Sequence, residues 1–301
     1  MKSNILDRLS PYLLLTLTTL FWAGNFNVAR AISGEVPPMG LSFWRWVVAF
    51  ALFIPFAYRP MKQHWGLMKQ HFGLIFLLAL LGVALFNSLV YIGLQSTTAI
   101  NGVLMQSVCP IIIILLSTLI FGDSSSFKQW CGVLISMLGV GTILIKADLS
   151  ALAGFHFNRG DLWVLLAVSS WGLYTVLLRK LPQALKGAPL LGYTMIIGIA
   201  LIFPPYLMES LSGKTMPVTL TSVTSIAYVS IFASLLAFLF WNNAASRIGA
   251  NRTGQFIHLI PVFGLTISTL ILGEELQHYH FIGMVLVGSG LLLANLKPKA
   301  S

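Results

Sequence analysis

Long apolar runs separated by short polar or basic turns set the pattern of this chain. An α-helix rises about 1.5 Å per residue, so roughly 20 apolar residues cross the hydrocarbon of a bilayer. By that measure the sequence predicts ten helices, over 11–29, 40–58, 72–92, 97–120, 127–146, 160–178, 188–208, 222–243, 250–272 and 278–296. The turns joining the third, fourth and fifth are short, which predicts antiparallel neighbours. What is left between the runs is too short for a soluble domain. One turn carries a local duplication: Lys62-Gln63-His64-Trp65-Gly66-Leu67-Met68 returns as Lys69-Gln70-His71-Phe72-Gly73-Leu74-Ile75. Paired lysines and aromatics at that spacing suit an anchor at the membrane surface.

The chain also repeats itself on a larger scale. With a shift of 151 residues, Pro110 falls on Pro261, Ser117-Thr118-Leu119-Ile120 on Ser268-Thr269-Leu270-Ile271, and Gly122-Asp123 on Gly273-Glu274. Gly132 and Gly139 fall on Gly283 and Gly290. Earlier in each half the shift is 149, which brings Trp22 onto Trp171, Asn25 onto Tyr174, Arg30 onto Arg179 and Pro55 onto Pro204. Each unit holds five spans, an odd number, so the second copy enters the membrane from the opposite side. The expected fold is therefore an all-α integral membrane protein. Its ten transmembrane helices form two inverted five-helix repeats, 1–148 and 149–301. Inverted repeats of this kind place a substrate site near the midplane between the copies.

Composition agrees with a bilayer as the solvent. Of the 301 residues 57% are hydrophobic and only 9% charged, and the mean hydropathy is +0.86. A soluble domain carries about 25% charged residues. The net charge of +10 does not mark a nucleic-acid binder, because the 18 Lys and Arg are scattered between apolar runs. With a cytoplasmic N-terminus, thirteen of them fall inside and four, Arg30, Lys146, Arg159 and Lys214, outside; Arg45 lies within a span. That bias predicts both termini in the cytoplasm. Lys2 and Arg8 before an apolar run, with Ala29-Arg30-Ala31 after it, have the outline of a cleavable leader. The length of the run and its counterpart in the second half favour a retained first helix. The two cysteines, Cys109 and Cys131, fit neither a disulfide framework nor a zinc site.

Several of these motifs carry a family resemblance. Phe21-Trp22-Ala23-Gly24-Asn25-Phe26 resembles the tryptophan–glycine–asparagine signature of EamA-type transporters in the drug/metabolite transporter superfamily. Phe43-Trp44-Arg45-Trp46 looks like their arginine motif, and Pro110 with Gly122-Asp123 and Pro261 with Gly273-Glu274-Glu275 like their repeated proline and glycine–glutamate pattern. Asp123 departs from the usual glutamate. The resemblance covers the whole chain. It implies ten helices, cytoplasmic termini, a cavity lined by helices 1–4 and 6–9 with 5 and 10 at the periphery, and export of amino acids or other metabolites from a bacterial cell.

Polar residues inside spans are costly and tend to face protein or a cavity. Arg45 lies about five residues inside the second span. It can hold a substrate carboxylate through two hydrogen bonds, or it can snorkel to the interface or bond backbone carbonyls. His258 is the one histidine deep in a span and can bind substrate, titrate, or simply join helices. Trp22, Asn25, Trp171 and Tyr174 stand at corresponding places and suit a cavity that stacks and hydrogen-bonds a solute, or ordinary helix packing. Asn87 and Tyr91 share a helix face at i and i+4. With Gln106 they can line the cavity or bond helix to helix. Pro110 and Pro261 interrupt mid-span hydrogen bonds and are the candidate hinges. The paired glycines at 132, 139, 283 and 290 predict close packing within the monomer more than dimerisation.

The eight acids all fall at span ends or in loops, which argues against a carboxylate proton relay. His278 and His280 beside Glu274 are too weak a pattern for a metal site, and no cofactor is expected. An enzyme lacks its constellation of intramembrane acid–base groups, and a sensor lacks a signalling domain. The expected function is a secondary transporter of the bacterial inner membrane, a monomer or homodimer in the lipid bilayer. It exports small polar metabolites, amino acids or their derivatives, by alternating access. The alternative is a multidrug or organic-cation exporter with a wide aromatic cavity.

Overall fold

The computed structural model describes residues 5–97, 99–145, 158–272 and 277–295. Among them ten long helical segments follow one another. They are α1 (Pro11–Ala31), α2 (Pro38–Gln63), α3 (Phe72–Leu94), α4 (Asn101–Phe121), α5 (Phe127–Leu144), α6 (Arg159–Lys180), α7 (Ala188–Leu211), α8 (Leu220–Ile248), α9 (250–272) and α10 (His278–Asn295). Seven of these, α2 to α8, are long and apolar enough to cross a membrane. The other three carry more polar side chains, such as Thr18, Thr19 and Asn25 in α1 and His278 and His280 at the start of α10.

Local chemistry sets the ends. Pro38 opens α2, where a missing N–H costs nothing. That helix then runs through Pro55 and Pro60 to Gln63, five residues past the apolar run that predicts it. Ser126 with Gln129 and Asn158 with Asp161 form reciprocal caps on α5 and α6. The Glu209 carboxylate, in the last turn of α7, accepts from the Met39 and Gly40 N–H groups (3.3 and 2.8 Å) and caps α2 across the bundle. Gly122 ends α4 at φ +69°, a left-handed conformation that glycine takes without strain. Between α2 and α3 the duplicated stretch forms a short helix, Trp65–Gln70, with Trp65 and Phe72 half exposed and Lys69 over the Trp65 ring.

The two halves interlock. Each of α1 to α5 has its main packing partners in the second half: α1 on α8 and α9, α2 on α7 and α8, α3 on α6 and α7, α4 on α6 and α9, α5 on α10. Short turns do join α3 to α4 and α4 to α5. The main contacts of these helices nevertheless cross to the other repeat, because that is where the complementary faces lie.

Irregularities recur in the same symmetric way. A π-helical stretch interrupts α3 at Ala79–Leu85 and α8 at Val229–Leu236. Such stretches leave carbonyls short of helical partners. The Ser170 hydroxyl of α6 donates to the Leu81 carbonyl (2.6 Å), and the Trp22 indole of α1 to the Ala233 carbonyl (3.1 Å). Helices α5 and α10 cross glycine to glycine. A Cβ on Gly132 would sit 2.5 Å from the Gly290 oxygen, and one on Gly139 2.7 Å from the Gly283 oxygen. The expected use of these glycines inside the monomer is what the structure contains. We predict that Gly132→Leu, which forces this crossing apart, costs about 1–3 kcal/mol. Thermal unfolding in detergent should show a lower midpoint than for Gly141→Leu, where a Cβ meets nothing within 4 Å.

Candidate substrate site

Four helices bring one polar cluster together. Arg45 of α2 is wholly buried. Its Nε donates to the Ser234 hydroxyl of α8 (2.8 Å) and its Nη1 to the Asn87 Oδ1 of α3 (2.8 Å). Nη1 also meets the Tyr91 hydroxyl, and it lies 3.4 Å from the Asn25 Oδ1 of α1. The Tyr91 hydroxyl in turn donates to Asn25 Oδ1 (2.9 Å). Neither sequence alternative to substrate binding, snorkelling or bonding to the backbone, describes Arg45: its hydrogen-bond partners are side chains. All four are neutral. A buried guanidinium without a carboxylate partner keeps most of its attraction for an anion. Trp46 and Tyr91 flank it, with ring centroids 5.4 and 5.7 Å from the guanidinium carbon. Arg45 lies seven residues into α2, or about 10 Å along it. It is thus displaced toward the end of the bundle where α2 begins.

Beside this cluster Trp22, Asn25, Phe26, Phe86, Asn87, Val90 and Gln106 line a cavity of about 10 Å³. Trp22 is also part of an aromatic layer across the middle of the bundle. It meets Trp171 edge to face at 5.1 Å and Trp241 at 5.0 Å. Trp171 stacks on Tyr174 at 4.9 Å and packs against Phe86 at 4.8 Å. The Tyr174 hydroxyl donates to Asn242 Oδ1 (2.9 Å) and the Trp241 indole to the Thr175 hydroxyl (3.1 Å). Gly24 and Gly82 permit close approaches around this layer, Gly24 to the Tyr228 hydroxyl and Gly82 to the Tyr174 ring.

Beyond the layer, at the end carrying Arg179, Lys186 and Arg252, a cavity of about 490 Å³ opens between α4, α6, α8 and α9. Asp123, held in place by Gly122, accepts from the Ser117 hydroxyl (2.7 Å) and from Arg179 (2.7 and 2.8 Å). The Arg179 hydrogen bond, then that from Ser117, holds the Asp123 carboxyl below its ordinary range. Burial pushes the Lys186 ammonium down.

Seven of the nine predicted site residues fall in the polar cluster or the aromatic layer, and Gln106 lines the small cavity beside them. His258 stands apart. It is fully buried, and its Nε2 lies 3.0 Å from the Ser107 carbonyl. The reason is Pro110. Helix α4 breaks at 107–108, where Ile111 N–H turns to the Val108 carbonyl instead of Ser107. The freed Ser107 carbonyl takes the imidazole N–H, so His258 joins two irregular helices. The companion segment before Pro261 winds as a 3₁₀ turn, Phe256–His258. Both proline levels are thus breaks in their helices.

Other groups escaped sequence reading. Ser234 has Val83 as its repeat counterpart, and only the π-helical turn of α8 aims its hydroxyl at Arg45. Asp161 lies at a span end as expected, yet it is wholly buried. It receives the Asn158 N–H (2.9 Å), the Asn101 amide (3.2 Å) and the Thr97 hydroxyl. His280 caps the start of α10, where its Nδ1 accepts the Gln277 N–H (3.0 Å). Glu274 and Glu275 lie outside the described residues.

A helical membrane protein in two interlocked halves, with a buried cation and an aromatic layer where they meet, has the form of a transporter. The chain belongs to the EamA-like transporter family, whose model matches residues 9–145 and again 158–296. It is 28% identical over 297 residues to the uncharacterized transporter YyaM of Bacillus subtilis (strain 168), covering 96% of this chain and 95% of that protein. An uncharacterized transporter of Archaeoglobus fulgidus is 27% identical over 290 residues, covering 95% and 97%. A solved crystal structure superposes with a TM-score of 0.72 at 18% identity over 95% of this chain and 96% of that one, a likeness of fold.

The Asp123–Arg179 pair is partly exposed, with side chains 34% and 61% accessible, so screening limits it to about 1 kcal/mol or less. Because the folded carboxyl lies below its ordinary value of 3.8, the contribution is fully present above that pH and is lost as pH falls through the folded pKa. Asp123→Asn should therefore lower the unfolding midpoint slightly at pH 7 and low salt. The difference from wild type should shrink as the pH falls below 3.8, and in high salt, as thermal scans across pH would register.

Proposed function

We propose that this transporter is a secondary carrier that exports small polar metabolites bearing a carboxylate, amino acids and their derivatives among them, by alternating access. The observation that carries the reading is Arg45, wholly buried and held only by neutral groups. A carboxylate offers two oxygens in the geometry of the guanidinium fork. Asn25, Asn87 and Tyr91 hold that fork in place before the solute arrives.

Alternating access draws support from the inverted halves and from the contracted site. A cavity of about 10 Å³ admits no more than a water-sized group, so loading requires the helices to part. The 490 Å³ cavity at the basic end is the approach from one side, and the aromatic layer separates it from Arg45. The breaks at Pro110 and Pro261 are the hinges of this scheme. In the membrane we assign ten spans in two repeats, 1–148 and 149–301, with α1, α9 and α10 completing the sets of five. The excess of Lys and Arg at one end favours cytoplasmic termini in a bacterial inner membrane. The glycine faces of α5 and α10 cover one another, which favours a monomer over a dimer built on them.

A competing reading has one observation of its own: the faces of Trp22, Trp171 and Trp241 could stack an organic cation. Counterflow in proteoliposomes, with panels of carboxylates and organic cations, separates the two. Saturable exchange of a carboxylate, reduced at least about tenfold in Arg45→Ala and only partly restored in Arg45→Lys, is the expected result, with both variants monodisperse and folded. Exchange of cations alone, indifferent to Arg45, would overturn the carboxylate reading.

A further inference from the structure

The hydrogen-bond inventory around the small cavity is one-sided. The Nδ2 of Asn87 and the Nε2 of Gln106 both line it, and both are buried without a partner. The orientation of Asn87 is fixed: its oxygen accepts from Arg45, which can only donate, so its amide nitrogen must face the other way. Asn25 Oδ1 is already taken by Arg45 and Tyr91. Trp171, packed on Trp22 and Phe86, and Trp46, beside Arg45, also have buried indole N–H groups without partners. Among the described residues the one wholly buried acid, Asp161, has its oxygens occupied by Thr97, Asn101 and the Asn158 backbone. The cavity therefore offers spare N–H groups beside a cation, Arg45, bonded to two of its lining residues, and among the described residues no carboxylate lines it.

We propose that the substrate is an organic anion without an ammonium group: a monocarboxylate, such as a 2-oxo acid, on an aryl or branched alkyl body. This rests on the carboxylate reading above and narrows it. The carboxylate meets the Arg45 fork, and one of its oxygens, or the 2-oxo oxygen, also accepts from Asn87 and Gln106. Buried donors left unpaired in the empty site are costly, so a ligand that fills them gains and one that cannot is rejected. Trp22, Phe26, Phe86 and Val90 supply the apolar walls for the body. An α-ammonium would sit within a few ångströms of the guanidinium with no acid to offset it. In a site of low dielectric that repulsion favours the deaminated acid by roughly tenfold or more.

The test compares one carbon skeleton in four charge states, namely phenylpyruvate, 3-phenylpropionate, L-phenylalanine and phenethylamine, with the leucine skeleton as a second set. Binding is read on the detergent-purified full chain by tryptophan fluorescence and thermal shift. The expected order is both acids at least tenfold tighter than the amino acid, with no binding of the amine. Asn87→Asp, which places a carboxylate beside Arg45 with almost no change in shape, should abolish acid binding while the unfolding midpoint is kept or raised. An amino acid bound as tightly as its oxo acid, or tighter, would overturn the anion proposal and leave the carboxylate reading standing. Binding of the amine alone, or of no member of either set, would overturn both. Undiminished acid binding in folded Asn87→Asp would also refute the proposal.

Discussion

A guanidinium shut away from water among neutral partners is the constraint around which this bundle is arranged. Burying an ion costs several kcal/mol even after the protein relaxes. Here three helices contribute to its solvation: Ser234 from α8, Asn25 from α1, and Asn87 and Tyr91 from α3, around Arg45 of α2. None brings a compensating charge. The polar cluster is thus satisfied enough to fold, and the proposed anion would supply the charge it lacks. Tertiary geometry sustains it, since the π-helical turn in α8 aims Ser234 and the Glu209 cap on α2 fixes the helix from which Arg45 projects.

Symmetry supplies the scaffold, and departures from symmetry supply the chemistry. The π-helical stretches of α3 and α8, the breaks before Pro110 and Pro261, and the glycine crossing of α5 and α10 all obey the repeat. The buried polar groups do not. Arg45 corresponds to Thr194, Ser234 to Val83 and His258 to Ser107. In the proposed mechanism, two halves of similar backbone exchange conformations at little cost, and a single charge, placed once, gives that exchange a cargo.

Much of this was legible in the sequence because hydrophobic runs, proline and glycine act locally. The helices, the twofold repeat and the positions of Asn87 and Tyr91 follow from spacing, and Trp22, Asn25 and Arg45 from spacing together with the family motifs. Helix ends drifted where caps and prolines, not hydropathy, decide them, as at Pro38 and Gln63. What the sequence could not convey is which side chains meet. Ser234 gave no signal, for a serine in an apolar run is ordinary until a π-turn rotates it inward. His258 looked like a site residue because a buried imidazole is rare, yet its partner is a carbonyl released by a proline 148 positions away. Asp161 looked like a loop acid and is a fully buried cap.

The arrangement separates two compartments, a broad basic-end cavity and a contracted site at Arg45, with Trp22, Trp171 and Trp241 between them. The central claim is that an anionic solute completes the coordination of Arg45. The most direct measurement is an experimental structure with a bromine-labelled aryl carboxylate, its position read from anomalous scattering. The account predicts a carboxylate oxygen about 3 Å from the Arg45 guanidinium and the bromine against Trp22 and Phe86. Bromine found only among Arg179, Lys186 and Arg252, with Arg45 still closed on Asn87 and Tyr91, would contradict it.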